Sequence, residues 1–71
     1  MEINMKELGE RIKELRTERG LSQKELADKI GVATNTVSQY ESGKSKTSID
    51  VLVNLATELD TTTDFLLGLE H

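Results

Sequence analysis

Thr34, Asn35, Ser38 and Gln39 fall at positions i, i+1, i+4 and i+5, a spacing that gathers them on one side of a helix, and Lys44 and Lys46 follow just beyond. Each of the four side chains ends in a hydroxyl or an amide. The row therefore offers hydrogen-bond donors and acceptors without charge, which is equipment for recognition rather than for bond making. Base pairs present matching donors and acceptors in the major groove of DNA, and that groove, ~12 Å wide, admits one helix. The plainer reading of the same row is a polar face that meets only water. The surrounding sequence decides between the two.

Other chemistry fails on inventory. The chain has 71 residues and no cysteine, and its only histidine is the last residue, His71. Ser22, Ser38, Ser42, Ser45 and Ser48 have no candidate base to activate them. The carboxylates are scattered among lysines at helical spacing, and neither a glycine-rich phosphate loop nor a metal-ligand cluster is present. The expectation is a protein that is not an enzyme, with no cofactor and no metal. Without cysteine there is no disulfide framework, which fits the cytoplasm. No apolar run approaches the roughly 20 residues of a membrane helix, and no signal-peptide pattern appears.

Length bounds the chain to one domain. Proline is absent, Tyr40 and Phe65 are the only aromatic residues, and Ala, Leu, Glu and Lys are common. That composition favours an all-α fold. Leu69-Glu70-His71 matches the start of a polyhistidine purification tag and is set aside as a remnant. The natural chain then either stops near Gly68 or continues into a second domain.

The formal net charge of −4 argues against a polyanionic partner, but its distribution does not. Residues 1–10 carry net −2 and residues 47–71 carry net −5, whereas residues 11–46 carry eight basic and five acidic side chains, net +3. A polyanion can bind one face only.

Five helices must position the polar row. Leu8, Ile12 and Leu15 at i, i+4 and i+7 predict an amphipathic helix over about 4–19, closed by Gly20. Ser22 and Glu25 form a capping box, with Leu21 and Leu26 spaced for a hydrophobic staple, and start a helix over 22–30 that Gly31 ends. Ala33, Val37 and Tyr40 repeat the apolar period over 33–42, up to Gly43. That helix is too short to persist alone, and its cap is either Ala33, a weak one, or Thr34. Ser48 caps a helix over 48–59 with Ile49, Leu52, Leu55, Ala56 and Leu59 inward, and Thr62 caps a short one over 62–68. The predicted core is Leu8, Ile12, Leu26, Ile30, Val37, Leu52 and Leu55. Arg11, Lys13 and Arg19 read as solvated.

Two short helices joined through a turn with glycine have helix-turn-helix spacing, in which the second helix meets base edges. The run LSQKELADKIGVATNTVSQYESGKSK, residues 21–46, resembles the Cro and phage-repressor (Xre-type) helix-turn-helix regulators through Leu21, Ser22, Gln23, Leu26, Ala27, Gly31, Val32, Val37, Tyr40, Glu41, Gly43 and Lys44. SIDVLVNLATEL and TTDFLLG resemble that family's fourth and fifth helices, so the resemblance covers about residues 5–68. It implies a compact five-helix bundle and a sequence-specific regulator of transcription, a repressor, that binds double-stranded DNA on a palindromic operator as a homodimer. It also implies that Thr34, Asn35, Ser38 and Gln39 read bases, that Ser22, Gln23, Ser42, Lys44 and Lys46 hold phosphate, and that Arg16 and Glu41 form a structural ion pair. The sequence departs from the family's habits at Ala33, Thr34, Gln39, Thr47 and Thr61, which leaves little charge for the groove.

The rival reading is an antitoxin or another small helical protein-interaction module, suggested by the acidic C-terminal third and by the apolar run Phe65, Leu66 and Leu67. The same run is the first candidate for a dimer surface.

Overall fold

The computed structural model describes residues 3–69. Five helices occupy them in chain order: α1 (Met5–Glu18), α2 (Gln23–Ile30), α3 (Thr34–Ser42), α4 (Ile49–Glu58) and α5 (Thr63–Leu67). No strand occurs among the described residues. Of Leu69-Glu70-His71, expected to be a tag remnant, Glu70 and His71 lie outside the described residues, and Leu69 donates its backbone N–H to the Asp64 carbonyl oxygen at 2.8 Å.

Local chemistry sets most helix ends. The Asn4 side-chain oxygen accepts from the Glu7 amide at 3.1 Å and starts α1. Ser22 and Glu25 complete a reciprocal capping box, with the Glu25 amide donating to the Ser22 hydroxyl at 3.0 Å and the Ser22 amide to Glu25 Oε1 at 2.9 Å. Ser48 and Thr62 cap α4 and α5 through their hydroxyls. The cap of α3 is Ala33, whose side chain has nothing to offer, so the first turn of α3 relies on backbone bonds alone. Tertiary contacts must therefore hold α3.

They do so through α1 and α2, both of which pack on α3. The core joins Leu8, Ile12 and Leu15 of α1, Leu26, Ala27 and Ile30 of α2, Val37 and Tyr40 of α3, Leu55 and Ala56 of α4, Leu59 at its C-cap and Leu66 of α5. Burying a leucine or isoleucine completely contributes about 1.5–3 kcal/mol. Six large apolar side chains, Ile12, Leu26, Leu55, Leu59, Leu66 and Val37, are fully enclosed. Gly9 explains how α1 comes so near. A Cβ there would collide with the backbone carbonyl oxygens of Tyr40 and Glu41, so only glycine lets the α1 backbone lie directly on the C-terminal turn of α3.

Three expectations are corrected. Ile49 does not face inward but is 80% exposed. Leu52 is partly buried at the core's edge rather than within it, whereas Leu55 and Leu59 further along α4 are enclosed. Burial thus rises along α4 from its N-terminus: Ile49 is exposed, Val51 and Leu52 pack partly buried against the core, and Leu55, Ala56 and Leu59 are enclosed. Leu66 is 0% exposed and belongs to the core, so it forms no part of an outer surface. The large apolar groups that do reach solvent are Ile49, Val53 at 49% and Phe65 at 38%.

Candidate nucleic-acid interface

The turn between α2 and α3 is set by Gly31, which takes the left-handed conformation at φ 75° while Val32 donates to the Ala27 carbonyl at 3.0 Å. L-residues pay a steric penalty there and glycine does not. With Val37 and Tyr40 locked in the core, rotation of α3 about its axis is fixed. Thr34, Asn35 and Ser38 are exposed on the opposite side, and no described hydrogen bond engages their side chains. Gln39 is half-buried at the edge of this face. Lys44 and Lys46 are exposed beyond its end.

A buried charge cluster ties the three N-terminal helices together. Arg16 Nε donates to Glu41 Oε2 at 2.6 Å and Arg16 Nη2 to Glu41 Oε1 at 3.2 Å, in a two-pronged grip. Arg16 Nη1 donates to the Leu21 carbonyl at 2.7 Å. Gln23 Nε2 donates to Glu41 Oε1 at 3.0 Å, and so brings the start of α2 into the same network. With side-chain exposures of 11% and 4%, Arg16 and Glu41 are withdrawn from water, and Arg16 is turned inward. Charge-assisted bidentate bonds of this kind fix orientation as well as lending strength.

The residues expected on phosphate differ in what they have free. The Ser22 hydroxyl accepts from the Glu25 amide and also bonds the Glu25 carboxyl, so its proton is shared within the capping box. Gln23 has one amide proton on Glu41 and a second unengaged. Ser42 donates its hydroxyl proton to the Gln39 carbonyl oxygen at 3.1 Å, so as placed it has only lone pairs to offer an anion. The Glu25 carboxyl lies below the usual carboxylate range, first because it accepts from the Ser22 amide and then because it bonds the Ser22 hydroxyl.

Three contacts of this kind had no counterpart in the sequence reading. Ser45 Oγ donates to Gln39 Oε1 at 3.0 Å, across the loop that Gly43 opens. Arg11 and Arg19, expected in solvent, reach the backbone of the C-terminal half: Arg11 Nη1 donates to the Leu66 carbonyl and Arg19 Nη2 to the Asp60 carbonyl, each at 3.4 Å. The Leu66 carbonyl lies in the last turn of α5, where a cation is favoured.

A family model for the helix-turn-helix matches residues 12–66. The chain belongs to the helix-turn-helix family. It is 40% identical over 63 residues to the SPbeta prophage-derived uncharacterized HTH-type transcriptional regulator YonR of Bacillus subtilis (strain 168), covering 89% of this chain and 58% of that protein. Among solved structures it resembles the restriction-modification controller protein C.AhdI from Aeromonas hydrophila, with a TM-score of 0.83 and 37% identity over 87% of this chain and 94% of that one. It also resembles the P22 c2 repressor protein in complex with a synthetic operator, with a TM-score of 0.84 and 28% identity over 89% of this chain and 96% of that one. The chain spans about half the length of the curated relatives it matches. Within the helix-turn-helix, α2 and α3 are the paired helices, and the cluster on Glu41 is what braces α3 against both α1 and α2. No described helix is long and apolar enough to cross a membrane.

Proposed function

We propose that this helix-turn-helix is the DNA-binding unit of a transcriptional repressor and that α3 enters the major groove of double-stranded DNA. The observation that carries this reading is the exposed, uncharged and unengaged row of Thr34, Asn35 and Ser38 on a helix whose other face is immobilised in the core. Asn35 reads a base, with adenine as the edge its amide fits best. Lys44, Lys46, Ser22 at the start of α2 and the second Gln23 amide proton flank that face and hold the backbone. The acidic C-terminal third, net −5 over residues 47–71, repels phosphate and leaves the binding to the basic middle of the chain. The relatives' names and the operator bound by the P22 c2 repressor support the same reading. The cytoplasm is the compartment where such a protein meets DNA.

One helix makes few base contacts, and repressors of this geometry bind paired half-sites about one helical turn apart. The protein therefore acts as a homodimer. With Leu66 in the core and Leu67 partly buried, the exposed apolar groups offered for joining two copies are Ile49 and Val53, one turn apart on α4, and Phe65 on α5. The same patch favours a second reading, in which it docks a different protein.

Selection from duplexes with a randomised window tests the whole proposal. A single enriched palindrome is expected, and enrichment of none would sink it. On that duplex, Asn35→Ala is expected to lose about 1–3 kcal/mol and to relax preference at one base pair, with no change on scrambled duplex. Sedimentation should give two copies per site at saturation, and Ile49→Asp should reduce this to one. A single copy of the parent chain would remove the dimer and leave the patch to another protein.

A further inference from the structure

We infer that Ser45 is a positioning residue for base recognition, acting by fixing the Gln39 side-chain amide so that its NH2 group, and not its oxygen, is offered to DNA.

The inference rests on the proposed placement of α3 in the groove and deepens it at one residue. Gln39 stands at the end of the row that begins at Thr34 and is half-buried, unlike Thr34, Asn35 and Ser38. A glutamine amide is ambiguous by nature: turned over, it exchanges an acceptor for a donor, and in solvent both orientations are sampled. In this structure the amide oxygen is turned toward the loop after α3. Gly43 takes the left-handed conformation at φ 79° and folds the chain back. The amides of Lys44 and Ser45 then converge on the Gln39 carbonyl oxygen, at 3.0 and 3.4 Å. That closure holds Ser45 over its own helix, with its hydroxyl 3.0 Å from Gln39 Oε1 and donating to it. The Gln39 oxygen is engaged, and no described bond takes up its NH2. A donor-only amide favours base edges rich in acceptors, guanine N7 and O6 or thymine O4, over the adenine edge that needs donor and acceptor together. Gly43 cannot be replaced without disturbing this arrangement, because a side chain there would also press on the α1 backbone at Lys6. The loop is thereby tied to the fold, and the amide to the loop.

The test is selection from duplexes with a randomised window, applied to the 71-residue chain and its variants, with base preference read at each position. Gln39→Ala is expected to flatten preference at one base pair that favours guanine or thymine, by about tenfold. Ser45→Ala should flatten the same base pair by about fivefold, the worth of one hydrogen bond, and should add nothing in the Gln39→Ala background. Ser45→Thr, which keeps the hydroxyl, should restore the parent profile. Gln39→Glu, an acceptor without a donor, should shift preference toward cytosine. Ser45→Ala weakening all duplexes alike would show a phosphate contact and overturn the inference. So would adenine preferred at the position Gln39 controls, or a Ser45→Ala profile unchanged while Gln39→Ala alters it. If Gln39→Ala itself leaves every position unchanged while Asn35→Ala does not, Gln39 is no base reader and the inference falls with the proposed reading intact. Silence of both variants would sink the groove reading itself.

Discussion

Arg16 and Glu41 lie 25 residues apart in the chain and meet at 2.6 Å, inside the angle between α1 and α3. Gln23 of α2 completes the carboxylate's shell. A pair this enclosed is weak evidence of net stability, because desolvation offsets much of the attraction, but removing one partner strands the other. Glu41→Gln is expected to cost about 3–5 kcal/mol in urea unfolding. The joint replacement Arg16→Met with Glu41→Leu should be the milder change. A loss under about 1 kcal/mol for Glu41→Gln would place the pair in water, where such contacts are worth little.

Gly9→Ala reverses the usual rule for helix interiors. Alanine there gains about 1 kcal/mol of helix propensity, yet its Cβ would meet backbone, which cannot turn aside as a side chain can. The expected result is a net loss of about 1–3 kcal/mol, as for overpacked cores. Chemical denaturation of the variant checks it, and a stabilised Gly9→Ala protein would mean that α1 stands off from α3.

Leu26 is wholly enclosed between α2 and the rest of the core. Leu26→Ala should lower stability by about 2–5 kcal/mol. A midpoint shift worth under about 1 kcal/mol would show that the site collapses around the smaller residue.

The capping box gives a pH signature. The Glu25 carboxyl is held below its ordinary value by the Ser22 amide and hydroxyl, so its folded-state value is lower than its unfolded one. A depressed carboxylate contributes stability that is present above the unfolded value, about 4.5, and is lost as pH falls through the folded value. The difference in urea midpoint between the parent and Glu25→Ala should be full at neutral pH and shrink below about pH 4. A difference that stays constant through acid would mean that helix propensity, not the cap, separates the two proteins.

Lys44 lies exposed past the end of α3, and no described hydrogen bond engages its side chain. Lys44→Ala is expected to weaken cognate and scrambled duplex alike and to lower the slope of log affinity against log salt by about 1. Titrations at several salt concentrations measure both quantities. A change confined to the cognate duplex would make Lys44 a base reader instead.

What can be read without a structure is whatever is settled within a few residues. Ser22 with Glu25 and Ser48 before Ile49 announce helix starts because a cap needs only its own first turn. Gly31 and Gly43 mark helix ends because a left-handed residue is a local demand. The shared face of Thr34, Asn35 and Ser38 follows from helical period alone. The amphipathic α1 is equally plain, since Leu8, Ile12 and Leu15 repeat within one stretch.

The tertiary structure decided everything that depends on residues distant in the chain. Ile49 and Leu66 have the same apolar character, yet the packing of the helices leaves the first exposed and the second enclosed. Periodicity reports which residues of a helix share a face but not where along its length the neighbouring helices end. Gly9 looks like a flaw in α1 until the carbonyls of Tyr40 and Glu41 are seen against it. The hydroxyl of Ser45 could equally have met water. Its bond to Gln39 arises because the loop from Gly43 closes back over its own helix, a geometry that the local residues permit and the packing of α1 against α3 enforces.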